Sequence, residues 1–121
     1  MSAADPITTS VAHREGVAVV SIGGEIDLST APAFEAAITG ALDRDPAVLV
    51  VELSEVSFMA SVGLRILVAT HERVSESAQL AIVANNPATS RPIQLTGLDK
   101  VMSLYPTLDD ALTAVGGGPD N

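Results

Sequence analysis

Apolar and polar positions along the chain fall into short segments with distinct rhythms. Ile7 to Ala12 alternates weakly, with Ile7, Thr9 and Val11 on one side. Glu15-Gly16 reads as a turn and Val17 to Ile22 as a second strand, so the two predict a hairpin that Gly23-Gly24 ends. Ser29-Thr30-Ala31-Pro32 predicts a helix start, with hydroxyls for the cap and a proline in the first turn. Phe34, Ala37, Ile38, Ala41 and Leu42 recur at helical spacing, and Asp45-Pro46 breaks the helix.

Ala47 to Leu53 is a nearly continuous valine-rich run, the pattern of a strand covered on both faces. A short polar loop is expected next, then a helix from about Ser61 to about Ser75. Leu64, Leu67, Val68 and His71 fall on one face of it, with Val62, Ile66 and Ala69 beside them. Leu80 to Ala84 predicts a further buried strand. Pro92 would break a helix already under way, so Ser90 is expected as the cap of the next helix, which Gly97 ends. Val101 to Tyr105 predicts a last short strand. Pro106-Thr107 caps a final helix carrying Leu108, Leu112 and Val115, and Gly116 to Asn121 is expected to fray. The order β-β-α-β-α-β-α-β-α predicts an α/β fold, a mixed and mostly parallel β-sheet with packed α-helices. One domain is expected over 1–121, its core about 7–115.

Composition narrows the function classes. Fifteen acids against six bases give a formal charge of −9. Such a chain repels phosphate backbones and anionic membranes, so neither direct nucleic-acid binding nor membrane binding is expected. There is no Trp, and Phe34, Phe58 and Tyr105 are the aromatic side chains, too few for stacking platforms. The absence of Cys removes disulfides, thiol catalysis and thiolate metal sites. No apolar run is long enough to span a bilayer, and Met1 to Pro6 lacks the pattern of a signal peptide. A cytoplasmic protein is the expectation.

The inventory of reactive groups points away from catalysis. His13 and His71 have no partners at metal-ligand spacing. No Gly-x-Ser-x-Gly elbow is present, and Gly23-Gly24-Glu25 lacks the Lys and Ser/Thr of a phosphate loop. Glu25 and Asp27, two positions apart at a strand end, read either as a carboxylate pair or as a solvated strand end with an Asx turn. No catalytic residue, metal ligand or cofactor is expected. The informative segment is Ser54 to Leu67, where a buried strand gives way to a helix start at Ser61. Ser61 reads either as a helix N-cap or as an exposed hydroxyl open to phosphorylation.

Phe58-Met59-Ala60-Ser61-Val62-Gly63-Leu64 resembles the signature of bacterial anti-sigma-factor antagonists, STAS-domain proteins in which an Asp-Ser-Ser/Thr-Gly-Leu turn begins the helix. Gly24-Glu25-Ile26-Asp27 with Thr30-Ala31 is similar to the Gly-Glu-Leu/Ile-Asp block of that family. Pro87, Arg91, Leu95 and Gly97-Leu98 match its Pro-x-x-x-Arg pattern. The resemblance implies a non-enzymatic switch protein that binds an anti-sigma factor of serine-kinase type, with a nucleotide-binding fold, and so frees a sigma factor. It further implies that phosphorylation at the helix start ends the interaction and that a serine phosphatase restores it. The partner-binding segment it implies is Phe58 to Leu64, and the contact residues it implies are Glu25, Asp27, Ser29, Thr30, Met59, Ala60, Ser61, Val62, Gly63 and Arg65.

Two positions depart from the family pattern. Ala60 stands where Asp is usual, and Val62 where the accepting hydroxyl is usual. Ser61 then either replaces the acceptor, as the phosphorylation candidate, or the protein binds constitutively. Two other readings stay open: a STAS module in another signalling scaffold or in transporter regulation, and a small nucleotide- or phosphate-handling enzyme.

Overall fold

The computed structural model describes residues 7–74 and 76–115. Strands β1 (Ile7–Arg14) and β2 (Val17–Ile26) pair antiparallel across Glu15 and Gly16, whose φ angles are 54° and 84°. Positive φ at both turn residues is the primed geometry that follows the twist of the strands. Strands β3 (Val48–Met59), β4 (Gln79–Val83) and β5 (Ser103–Tyr105) then add in sequence order, each parallel to the strand before it.

Helices α1 (Ala31–Leu42), α2 (Ser61–Val74) and α3 (Pro87–Leu95) make the crossovers between these parallel strands. Right-handed crossovers that all step the same way across a sheet put their helices on the same face. Phe34 and Ile38 of α1, Ile66 and Leu67 of α2 and Ile93 of α3 accordingly share one core with Ile22, Leu49, Val51, Leu53 and Ile82 of the sheet. Helix α4 (Leu108–Ala114) follows the last strand and packs on the opposite face, where Ala111 and Val115 meet Val48, Val50, Ala81 and Val83. The first half of β3 is therefore covered on both sides, as its run of valines predicts.

Several boundaries differ from expectation. Gly23-Gly24 does not end β2, which continues to Ile26. The register with β3 shifts at both glycines, and Gly24 has φ 94°. A Cβ on Gly23 would lie 2.8 Å from Thr8 Oγ1 and 3.2 Å from Glu55 Cβ. The pair marks an irregularity where three strands approach closely, a role glycine fills as readily as a stop. Ser54 to Phe58 is not a loop either, since β3 runs on to Met59.

Helix α3 begins at Pro87 rather than after Ser90. Asn86 is its cap, accepting from Ala88 N at 2.8 Å, and the Ser90 hydroxyl donates to Asn86 O at 2.9 Å from within the helix. Pro92 lies inside the helix. A strong asparagine cap and a proline in the first turn together outweigh the one backbone bond that Pro92 forfeits. Gly97 does end this segment left-handed (φ 80°), but a 3-10 turn over Leu98–Lys100 follows, so β5 starts at Ser103. The expected tail at Gly116–Asn121, the helix end at Ser75 and the N-terminal Met1–Pro6 lie outside the described residues.

Candidate functional site

The extra lengths of β2 and β3 create the site. Among the described residues, strand β4 accompanies β3 as far as the Glu52–Val83 pair, and β1 accompanies β2 as far as the Ile7–Gly24 pair. Beyond them β2 and β3 continue as a two-stranded ribbon, with Glu25 opposite Phe58 and Ile26 opposite Met59. The missing neighbour on the β4 side is replaced by one side chain: Asn86 Nδ2 donates to Ser54 O at 3.3 Å and to Val56 O at 3.0 Å. On the other strand the Ser57 hydroxyl donates to Gly24 O at 3.2 Å. The ribbon ends where Ala60 N donates to Ile26 O at 2.8 Å. Residues 25–30 and 59–63, far apart in sequence, thus meet at the carboxyl ends of parallel strands, where α/β folds gather their binding sites.

The loop after β2 is organised by Asp27. Its Oδ1 accepts from Ser29 N at 2.9 Å, Ser29 Oγ at 2.7 Å and Thr30 N at 3.1 Å, an Asx turn closed by a hydroxyl. The Ser29 hydroxyl, and next the Thr30 backbone N–H, hold the Asp27 carboxyl below its ordinary value of 3.8, against the opposing effect of desolvation. Asp27 is committed to this turn, while Glu25 is exposed. The solvated-strand-end reading of these two carboxylates, with its Asx turn, is the one the geometry adopts.

Thr30 is buried, and its hydroxyl donates to Glu25 O at 2.8 Å and accepts from Asp27 N at 2.8 Å. It occupies the cap position of α1 but makes no side-chain cap bond. The hydroxyls of Ser29 and Thr30 therefore serve the loop, not the helix start expected of them.

Across the ribbon, Ser61 is the exposed first residue of α2. Its side chain makes no hydrogen bond among the described residues, so it does not act as a cap. Gly63 is buried two residues later. A Cβ there would lie 2.6 Å from Met59 Cγ and 3.0 Å from Ile26 Cγ2, so the helix approaches the ribbon as closely as a glycine permits. Met59 is buried, Ala60 and Val62 are half-buried, and Arg65 is exposed one turn on. The domain uses most of the wide apolar arc of α2: Ile66 and Leu67 are buried, and Val62, Leu64 and Val68 pack against the core.

Two apolar residues at this end are exposed, Phe58, which opens the expected binding segment Phe58 to Leu64, and Leu28, which stands outside the expected contact set. Phe58 had a signal, as the first residue of the motif segment. Leu28 had none, since a leucine between polar loop residues carries no periodicity. Among the described residues, no group of His, Asp or Glu is gathered to hold a metal ion, and no helix is long and apolar enough to cross a membrane.

A mixed five-stranded sheet that offers two strand ends and a helix start at one edge defines a small α/β domain with a composite surface. Residues 8–111 match the STAS domain family, and the chain belongs to that family. It is 54% identical over 118 residues, 98% of this chain and 97% of the relative, to the anti-sigma-F factor antagonist RsfB of Mycobacterium tuberculosis. An anti-sigma F factor antagonist of Paenibacillus polymyxa is 28% identical over 84% of this chain and 88% of its own. The crystal structure of an anti-sigma factor antagonist from Mycobacterium paratuberculosis, 56% identical, superposes with a TM-score of 0.88 over 95% of this chain and 98% of the other. STAS antagonists of this kind are regulatory binding proteins, not enzymes.

Proposed function

We propose that this chain is a cytoplasmic anti-sigma-factor antagonist that binds an anti-sigma factor of serine-kinase type, frees its sigma factor and so activates transcription indirectly. The observation that carries this reading is the meeting of residues 25–30 with residues 59–63 beside an exposed serine, in a chain 54% identical to a named antagonist. The contact surface comprises Glu25, Asp27, Ser29, Thr30, Met59 to Gly63 and Arg65. Buried Thr30, Met59 and Gly63 contribute by shaping it.

Ser61 is the phosphorylation site in this proposal, and a serine phosphatase reverses the modification. Its hydroxyl is exposed and makes no bond within the described residues, which suits an acceptor. A phosphate here sits at the positive end of α2, so the domain stays folded. The added charge, about −1.5 to −2 at neutral pH, acts outward at the start of α2, where a partner that packs there would have to strip its water, and that desolvation cost opposes binding.

Titration with the anti-sigma factor from the same genome tests the reading. Tight binding by the wild-type chain and loss of binding by Ser61→Glu are expected. Failure of the wild-type chain to bind removes the proposal. Undiminished binding by Ser61→Glu removes the switch and leaves a constitutive antagonist. Mass spectrometry after incubation with the partner and ATP is expected to place phosphate on Ser61.

A further inference from the structure

Among the described residues, Val11, Leu28, Phe58, Leu95 and Val101 are large apolar side chains left exposed. Scattered exposures of this kind are ordinary, so their placement is what matters. Leu28, at 76% exposure, and Phe58, at 51%, both stand where the β2–β3 ribbon ends.

Among the described residues, neither of them has a cover. Met59 is buried in the core, so strand alternation turns Phe58 to the other face, beside Glu25. Helix α4 occupies that face, but it packs on Val48, Val50, Ala81 and Val83. The level of Val83 is that of Glu52, and Phe58 lies about 20 Å further along the strand. No third strand flanks the Glu25–Phe58 rung among the described residues.

Leu28 is exposed for a different reason. Asp27 binds Ser29 and Thr30 across it, and the Thr30 hydroxyl ties the turn to Glu25 O. The backbone that carries Leu28 is thus fixed while its side chain points into solvent. An apolar side chain on a preorganised turn loses little entropy when a partner covers it.

We infer that Leu28 and Phe58 are the two apolar anchors of the partner interface, seated in apolar hollows of the anti-sigma factor whose rims are basic. This rests on the proposed function and adds to it which side chains supply affinity. The basic rim follows from the carboxylates around the anchors, Glu25 and the firmly ionised Asp27, on a chain of formal charge −9. Apolar anchors ringed by polar contacts are the usual anatomy of a binding hot spot.

The test is a binding-kinetics series on the full chain, with the anti-sigma factor from the same genome as the probe. Leu28→Ala and Phe58→Ala are each expected to weaken binding by about tenfold or more, chiefly through faster dissociation. Val101→Ala, at a side chain 57% exposed away from the ribbon, is expected to leave it unchanged. Raising salt is expected to slow association equally in all variants. Leu28 lies in a loop, so Leu28→Ala keeps the test decisive even if Phe58→Ala lowers the melting temperature.

Wild-type affinity in both alanine variants overturns this inference and leaves the proposed function standing. Absence of binding by the wild-type chain overturns both. A concentration-dependent dimer in sedimentation that Phe58→Ala abolishes would assign the anchors to a second copy of the chain, and overturns it as well.

Discussion

The backbone N–H of Ala60 donates to the carbonyl of Ile26 across 2.8 Å. This bond joins the last residue of β2 to the residue that precedes α2. It makes the loop at 27–30 and the start of α2 one rigid unit rather than two neighbouring ones. Perturbations on either side should therefore be felt on the other.

Gly63 offers the most direct perturbation. A methyl group there meets Met59 and Ile26 at 2.6 and 3.0 Å, so α2 must shift from the ribbon. Gly63→Ala is expected to destabilise the domain by about 1–3 kcal/mol, the usual range for overpacking. Denaturant unfolding measures it, and a loss below the error of the method would show that Met59 repacks freely.

Asn86 has two separable duties. Its Oδ1 caps α3 by accepting from Ala88 N, and its Nδ2 holds Ser54 O and Val56 O. Asn86→Asp keeps the cap but removes the donors, while Asn86→Ala removes both. Stability should fall in the order wild type, Asp, Ala, with a total of about 2 kcal/mol. Amide exchange at Ser57 and Phe58 should quicken in both variants. Equal stability of Asp and wild type would mean that the ribbon does not depend on this clasp.

Ser61 distinguishes its two sequence readings by stability alone. A capping serine replaced by alanine costs about 1 kcal/mol. Because Ser61 makes no cap bond, Ser61→Ala is expected to change stability by less than about 0.5 kcal/mol. A loss near the capping value would restore the structural role.

Acid should loosen the loop before the core. The folded-state pKa of Asp27 is depressed, so its turn contributes stability above the ordinary value of 3.8 and loses it as pH falls below that value, through the folded pKa. In NMR titration the Ser29 and Thr30 amides should shift together in this window, while the amides of Leu80 to Ile82 in β4, a strand without titratable side chains, stay constant. Ser29→Ala should move the transition toward higher pH, since the Ser29 hydroxyl is the largest cause of the depression. A midpoint unmoved by that substitution would contradict the assignment.

The core was legible because its signals are local and redundant. Val48 to Val51 announces a doubly covered strand by composition, and Phe34, Ile38 and Ala41 announce α1 by spacing. The ribbon was not legible for the opposite reason. Gly23-Gly24 carries the common marks of a strand end, and Ser54, Glu55 and Ser57 those of a loop. Their extended conformation depends on partners thirty or more residues away, Gly24 for Ser57 and Asn86 for Val56. Helix α3 was misplaced because Pro92 is the louder local signal, whereas Asn86 acts through one cap bond and two distant carbonyls. At the candidate site, the motif pointed to a segment but not to the local role of each side chain. Ser29 and Thr30 looked like caps and are loop ties, and Leu28 could be found only by its exposure.

Asn86 enters the chain thirty residues after Val56, the carbonyl it holds. During synthesis, then, both strands of the ribbon and the serine-bearing helix are made well before the fastening that secures them. A chain halted before α3 would carry the residues of the proposed contact surface without the clasp on the Ser54 and Val56 carbonyls. The last crossover helix acts in this sense as a completeness check. A finished domain carries this last fastening, and a fragment that ends before α3 keeps the Ser57 tie to Gly24 O and the Ala60 bond to Ile26 O.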